Sequence, residues 1–356
     1  MLDRIQLEDF RNHPATVLDG AGRFNLLIGD NGAGKTNVLE AISLFAPGRG
    51  LRRAALGDMA RAKETGLGAT FAVSARLGDI ALGTGVRAGQ PARRVVHVNG
   101  ADSSAARLGE WLGLAWLTPA MDRLFAEGAA ARRRFLDRLV LALEPGHASL
   151  AARYETALRE RNRLLADTTE PDPAWLDGLE AQLADCGAAL ATARAACVAR
   201  LGEALAQTPD QPFARPALAY ASETPPAGLA EALRSGRRRD RAAGRTLSGP
   251  HRDDLSVTLA AKGRPAAECS TGEQKAMLIA MILAHASLSD PARPRVLLLD
   301  EVAAHLDALH RAALFERLRA LSGQYWLTGT ELGPFDGIAN EAAVWRVSEG
   351  AVERLS

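Results

Sequence analysis

The sequence predicts an α/β fold in which the two ends of the chain build one phosphate-binding head, flanked by an antiparallel β-sheet and interrupted by an inserted helical lobe that contains a short antiparallel helical hairpin. Three observations predict it. A glycine-rich loop, Gly29 to Thr36, lies between the apolar run "NLLI" and the helix-like run "NVLEAI". A second apolar run, "VLLL", ends in the carboxylate pair Asp300–Glu301, 264 positions beyond Thr36. Between them, Leu176, Leu179, Leu183, Cys186, Leu190, Ala193 and Cys197 alternate spacings of three and four, the seam of a helix pressed against another helix. If the first two stretches form one site, the third is an insertion.

Taken in order, residues 1–110 read as the N-terminal part of the head. "RIQLEDF" and "RFNLLIG" are strands and Asn37–Leu44 is the helix after the glycine loop. "ATFAVSARLG", "DIALGTGVRAG" and "ARRVVHVNG" are short, β-branched or alternating, and broken at Gly and Asp, which predicts antiparallel hairpins beside the nucleotide-binding strands. From about Glu110 the period becomes helical, and residues 111–245 read as the inserted lobe. "RRRFLDRLVLALEPG" stops at Pro-Gly. Leu150–Leu165 is amphipathic and, across the turn Asp167–Pro173, pairs with the heptad helix as a hairpin over 147–206, either a core pair of the lobe or a projecting arm. The proline-rich "TPDQPFARPALAYASETPP" marks the exit. Residues 246–356 then read as the C-terminal part of the head: strand "DDLSVTL", helix "TGEQKAMLIAMILAHASL", buried strand "RVLLLD", helix "LDALHRAALFERLRAL" and strand "QYWLTGT".

Composition narrows the function. The 356 residues are 47% hydrophobic and 24% charged, ordinary for globular protein. No apolar run reaches the roughly 20 residues of a membrane helix, and "MLDRIQLEDF" lacks the pattern of a signal peptide, so a cytoplasmic protein is expected. Cys186, Cys197 and Cys269 are widely spaced and fit buried thiols better than a disulfide frame or zinc site. The net charge of +1 places any nucleic-acid surface locally. Only Lys35, Lys63, Lys262 and Lys275 are lysines, so arginine is the chain's usual base. Two clusters, Arg132, Arg133, Arg134 and Arg138, and Arg234, Arg237, Arg238, Arg239, Arg241 and Arg245, fit either DNA contact or solvated helix faces.

The chemistry is concentrated in two motifs. Gly29, Asp30, Asn31, Gly32, Ala33, Gly34, Lys35 and Thr36 match G-x-x-x-x-G-K-[ST] at every specified position, after a strand and before a helix. Glycine lets successive amides turn toward a β-phosphate, the helix N-terminus adds positive potential, Lys35 reaches the β- and γ-oxygens, and the Thr36 hydroxyl ligates magnesium. Asp300, at the tip of a buried strand, is the second metal-holding residue, and Glu301 orients or deprotonates the attacking water.

A third element carries a family resemblance. Ser270, Thr271, Gly272, Glu273 and Gln274 resemble the Ser-x-Gly-x-Gln signature of ABC-type ATPases. The resemblance implies that Ser270, Gly272 and the helix N-terminus, with Gln274 in the same motif, bind the γ-phosphate of a nucleotide held by a second subunit. A simple N-cap by Ser270 or Thr271, helped by Glu273, is compatible with that role. "AHLD", Ala304–Asp307, looks like the D-loop that places Asp307 at the dimer interface. "LTGT", Leu327–Thr330, stands where many such ATPases carry a switch histidine; its absence leaves Thr328 or Thr330 as candidate sensors and implies slow turnover.

A split head is the plan of SMC-type DNA ATPases, and among these the chain resembles the RecF family of bacterial recombination mediators nearly end to end. The matching stretches are "LEDFRN", "GDNGAGKTNVLEAI", "LTPAMD", "RRRFLDRL", "YETALRERNRLL", "SGPHRDDL", the signature helix and "LLLDEVAAHLD". The resemblance implies a weak DNA-stimulated ATPase that uses ATP and Mg2+ and dimerises on ATP. It further implies recognition of gapped DNA and single-strand/double-strand junctions, and work with RecO and RecR to load RecA in repair, SOS induction and replication restart. It places Arg11 and Asn12 beside the nucleotide, and Asp122 in the Q-loop position, near the metal's water, although no Gln is present there. The alternatives are an ABC transporter's ATPase subunit, whose loop and signature lie much closer together, and a nucleotide-stabilised scaffold with incidental hydrolysis.

Overall fold

In this computed structural model residues 1–62, 70–167, 169, 171–288 and 293–355 are described. Lys63, Ala69, Thr168 and Glu170, which entered the reading above, lie outside them. The chain forms two compact units, Met1–Met121 with Ile282–Ser356, and Asp122–Met281.

The first unit holds two six-stranded sheets. In the sheet that carries the glycine loop the order is Ala351–Arg354, Ala342–Ser348, Phe24–Ile28, Gln324–Gly329, Arg295–Leu299 and Gly113–Leu117. All pairings are parallel except that of the edge hairpin Ala342–Ser348 with Ala351–Arg354. Strands such as Val296–Leu299 and Tyr325–Leu327 are apolar without alternation because both of their faces are buried. The other sheet is antiparallel, with order His13–Asp19, Leu2–Phe10, Phe71–Leu77, Ile80–Val86, Arg94–Val98 and Ala101–Ser103. Its strand Leu2–Phe10 buries Leu2, Ile5, Leu7 and Phe10, with an irregularity in register between Leu2 and Arg4. These side chains share one core with Val38, Leu39 and Ile42 of the helix Lys35–Ser43 and with Leu27, Leu298 and Trp326 of the parallel sheet. Trp326 and Trp345 stack at 5.4 Å and 15° in that core.

Two strand assignments change. Gly113–Leu117, read above as the start of the helical lobe, is the edge strand of the parallel sheet, because its five buried residues pair with Arg295–Leu299. "DDLSVTL" does not join the head sheet. Its strand, Asp254–Leu259, pairs antiparallel with Pro216–Ala221 and Arg264–Pro265 in a three-stranded sheet of the second unit. The stretch read as a proline-rich exit thus contributes a strand of its own.

In the second unit, His147–Ala166 and Pro173–Ala206 form the helical hairpin, and the hairpin is a core pair. Tyr154, Ala157, Leu183, Cys186 and Leu190 pack with Leu229 and Leu233 of the short helix Leu229–Ser235. At Gly187 an added Cβ would lie 2.6 Å from Leu229 and 3.1 Å from Tyr154, so the helices meet there only through glycine. The cysteines are buried free thiols, and desolvation pushes Cys197 up to about 12, so packing is their role.

The hairpin is also tied by a buried ion network. Arg161, 0% exposed, donates to Glu180 (3.0 Å), Asp240 (2.8 Å), Thr246 (2.7 Å) and the Leu233 carbonyl (3.0 Å). Removing one partner of a buried pair strands the other charge without water, which costs about 3–5 kcal/mol. Arg161→Leu is therefore expected to lower stability by about that amount in urea denaturation. Arg159→Leu, on the exposed face of the same helix, serves as the control and should change stability by less than about 0.5 kcal/mol.

Candidate active site

The strand Phe24–Ile28 ends at the glycine loop, and the backbone explains its composition. Gly32 and Gly34 have φ of 83° and 119°, which disfavour any side chain. Lys35 is 4% exposed and folds back over the loop, its Nζ donating to the carbonyls of Gly29 (2.5 Å) and Asp30 (2.9 Å). Burial pushes its ammonium below the ordinary value, opposed by the charges of Glu301, Asp300 and Asp30.

The distant carboxylate arrives at the same place. The Thr36 hydroxyl donates to Asp300, 2.9 Å from Oδ1 and 3.2 Å from Oδ2, and Thr328 donates to Oδ1 at 2.8 Å. Thr328 Oγ1 also accepts from the Glu301 amide at 2.8 Å, so one hydroxyl holds both members of the acidic pair. Glu301 has φ of 53°, a left-handed conformation that costs a non-glycine residue about 1 kcal/mol or more and turns the chain just beyond the strand tip. Thr36 and Asp300 are oxygen donors held side by side. That set suits magnesium, which takes a few protein oxygens and completes its shell with water and phosphate oxygens.

Other site residues fall as follows. Arg11, also left-handed at φ 53°, gives Glu40 a two-pronged contact (2.8 and 2.8 Å) and the Asp58 carbonyl a third bond (2.6 Å). Asn12 donates to the Ala33 carbonyl at 2.9 Å and accepts from Asn37 at 2.7 Å. Both residues thus stand against the loop and its helix. Ser270, Gly272, Gln274 and Asp122 belong to the second unit. There Ser270 and Glu273 form a reciprocal cap, with the Ser270 amide 2.9 Å from the Glu273 carboxylate and the Glu273 amide 3.3 Å from Ser270 Oγ. Gln274 donates to the Cys269 carbonyl (2.9 Å), and Asp122 lies 3.7 Å from Lys275. Asp307 caps the helix Ala308–Ala320 through the His310 amide at 2.9 Å. Several cluster arginines hold the second unit together: Arg132 grips Asp254, Arg133 the Asp253 carbonyl, and Arg237 grips Glu180 and Asp177.

Sequence reasoning passed over Glu40 and His13. Glu40 is fully buried and also accepts from Arg52 at 3.0 Å; an acid on the apolar face of "NVLEAI" was the available signal. His13, equally buried, lies 3.1 Å from the Gly34 carbonyl.

This geometry, a glycine loop and an acidic strand tip side by side on a parallel sheet, is that of a P-loop ATPase head, and the chain's family makes it one of the ABC type and SMC kind. A family profile described as RecF/RecN/SMC N terminal domain matches residues 1–331. Within that class the chain belongs to the RecF family. It is 47% identical over 371 residues to a protein of Mesorhizobium japonicum and 46% identical over 373 residues to one of Agrobacterium fabrum, both named DNA replication and repair protein RecF. The alignments cover 99% of this chain, and 97% and 98% of the two relatives. In fold it is similar to the recombination mediator protein RecF-ATPrS of the RecFOR pathway, with a TM-score of 0.85, 22% identity and coverage of 100% of this chain and 98% of that one. It is also similar to an Smc head domain bound to the C-terminal domain of ScpA, from Pyrococcus furiosus, with a TM-score of 0.54, 15% identity and coverage of 99% and 95%. The transporter-subunit alternative falls with the family assignment.

The buried Asp300 makes a measurable prediction. Desolvation raises its pKa above the ordinary 3.8; bonds from Thr328 and Thr36 counteract this, Glu301 adds to it, and Arg52 opposes it. The folded state thus holds that proton more tightly than the unfolded chain, so the stability it contributes is present at low pH and lost as pH rises through the raised value. At neutral pH the ionised carboxylate is a cost. Asp300→Asn, which keeps the shape and one acceptor, is therefore expected to raise the unfolding midpoint of the nucleotide-free protein at pH 7 by about 2–4 °C. The gain should shrink below pH 4; calorimetry showing a lower midpoint at pH 7 would refute the assignment.

Proposed function

We propose that this chain is an ATP-dependent, DNA-binding ATPase of recombinational repair, a switch whose two copies close around two nucleotides. The observation that carries the proposal is the Thr36 hydroxyl on the Asp300 carboxylate across 264 positions, with Glu301 alongside. The names of the relatives and the ATP-bound state of its structural neighbours support it.

In this reading the loop amides and Lys35 receive the β- and γ-phosphates, Lys35 exchanging its two carbonyl partners for phosphate oxygens. Thr36 and Asp300 would hold magnesium, and the bound ion would supply neutralisation of phosphate charge. Glu301 orients or deprotonates the attacking water, and Thr328 fixes the backbone from which it acts. Ser270, Gly272 and Gln274 of a second copy complete the γ-phosphate contacts and Asp307 lies at the joint, with Arg11 and Asn12 bordering the nucleotide on the first copy. The γ-phosphate bridges the copies, so hydrolysis loosens the dimer and releases DNA.

Gapped duplex and single-strand/double-strand junctions are the proposed DNA, RecO and RecR the proposed partners, and RecA loading, with SOS induction and replication restart, the proposed outcome in the cytoplasm. No helix among the described residues is long and apolar enough to cross a membrane.

Lys35→Ala is expected to weaken ATP binding at least tenfold in a titration with fluorescent nucleotide, a loss of about 1.4 kcal/mol or more. Glu301→Gln should bind ATP but hydrolyse it at least about a hundredfold more slowly, and its dimer should persist on gapped DNA; wild-type dissociation kinetics in that variant would count against the switch. ATPase assays with and without gapped duplex separate the switch from a scaffold, for which DNA leaves the rate unchanged.

A further inference from the structure

The glycine loop is gripped from behind by two segments remote in sequence. The Ala33 carbonyl accepts from Asn12 Nδ2 at 2.9 Å and from the Gly350 amide at 3.0 Å. The next carbonyl, Gly34, closes the first helical bonds, from Asn37 (3.0 Å) and Val38 (3.2 Å), and lies 3.1 Å from His13 Nε2. His13 Nδ1 is 3.0 Å from the Thr16 hydroxyl, which is itself 3.0 Å from the Gly350 carbonyl. The grip leaves no slack. A Cβ on Gly34 would fall 2.8 Å from both Asn12 and His13, and one on Gly350 would overlap the Asn12 carbonyl.

A carbonyl and the amide that follows it point in opposite directions in a trans peptide. Holding the Ala33 and Gly34 carbonyls toward Asn12, His13 and Gly350 therefore turns the Gly34 and Lys35 amides the other way. Those amides belong to the start of the helix Lys35–Ser43, where donors lack intrahelical acceptors and bind anions. Because a carbonyl only accepts, the contact to Gly34 requires the proton on His13 Nε2. Burial lowers the pKa of this ring, and the backbone contacts to Gly34 and Gly350 oppose the shift. A neutral ring with its proton on Nε2 accepts at Nδ1, so the single Thr16 hydroxyl proton serves either Nδ1 or the Gly350 carbonyl.

We propose that His13, with Asn12 and Gly350, is a positioning device for the phosphate site: it aims the Gly34 and Lys35 amides at the nucleotide by holding their partner carbonyls from the opposite side. This rests on the ATP-binding reading above, and it moves Asn12 from a residue that borders the nucleotide to one that acts through the loop. Gln carries an amide donor to roughly the place of Nε2, whereas Leu fills the space without one.

The test compares ATP and ADP affinity of the full chain with magnesium in wild type, His13→Leu and His13→Gln, with circular dichroism to verify folding. His13→Leu is expected to raise Kd for both nucleotides about tenfold, with the loss falling on KM more than on kcat, and His13→Gln to restore binding to within about threefold of wild type. Wild-type affinity in His13→Leu, or equally weak binding by His13→Gln, overturns the proposal. Should His13→Leu fail to fold, Asn12→Ala removes the Ala33 contact together with the acceptor for Asn37, and Asn37→Ala, which spares the Ala33 contact, is its control; a rise in Kd of about fivefold in Asn12→Ala beyond that of Asn37→Ala supports the clamp, and no such rise sinks it. A wild-type chain that binds no ATP refutes the proposed function instead, so the two failures are told apart.

Discussion

The parallel pairing of Phe24–Ile28 with Gln324–Gly329, and of that strand with Arg295–Leu299, is the constraint on which the site depends. Parallel neighbours end at the same edge of a sheet, so a loop leaving one strand, an acid capping a second and a hydroxyl ending a third are neighbours whatever chain lies between them. Gly29 donates to the Gly329 carbonyl at 3.2 Å and Asp300 to the Leu117 carbonyl at 2.9 Å, which extends the ladder to the level of the functional side chains. Once the edge is fixed by backbone bonds, Asp122–Met281, part of the polypeptide between Thr36 and Asp300, is free to fold as a separate unit. The late position of the acidic pair in the sequence is thus a consequence of sheet order.

That edge is costly to hold. A buried carboxylate, a partly desolvated ammonium and a left-handed Glu301 all work against the fold, and each is kept in place by its neighbours in the same site. The stabilising contribution comes from the apolar layers beneath: Trp326 on Trp345, and Leu27, Leu298 and Ile42 between the sheets, each large side chain contributing about 1.5–3 kcal/mol. The second unit resolves its charges differently. Its arginines meet carboxylates across the hairpin, as in Arg161 with Glu180 and Asp240, or fasten the "GPHRDD" segment, as in Arg132 with Asp254. His251 in that segment lies 2.7 Å from the Tyr154 hydroxyl and 3.0 Å from the Thr246 carbonyl, a structural junction for a motif whose role the sequence left open.

What could be read in advance follows from the range of the signal. The glycine loop, the apolar strand before Asp300 and the heptad seam are local patterns with steric or periodic causes, and the fold they suggested is the one found; the family, suggested by the resemblance of longer stretches, is also the one found. Gly113–Leu117 was missed because five apolar residues after a run with helical spacing satisfy either period. Asp254–Leu259 was misplaced although its alternating burial, with Ser256 outward between Leu255 and Val257, marks a sheet with one wet face, unlike the solid apolar runs of the head. Arg161 and His13 were invisible for a different reason, and Glu40 showed only as an acid on an apolar face: the role of each is defined by partners that only the folded chain supplies. A buried ion or a carbonyl clamp leaves no period in the sequence.

The clamp also bears on how binding energy spreads through the head. Asn12 and His13 follow the first strand, whereas Gly350 lies in the turn of the C-terminal edge hairpin, so the shape of the glycine loop depends on both ends of the chain being docked. A nucleotide that binds only this shape stabilises both dockings by mass action, about 2.7 kcal/mol at a hundredfold excess over Kd. The same linkage runs in reverse, since loosening either end reduces the fraction of chains able to bind. In the proposed function, phosphate affinity is then a property of both sheets together, and the glycine loop is the part that would face the ligand.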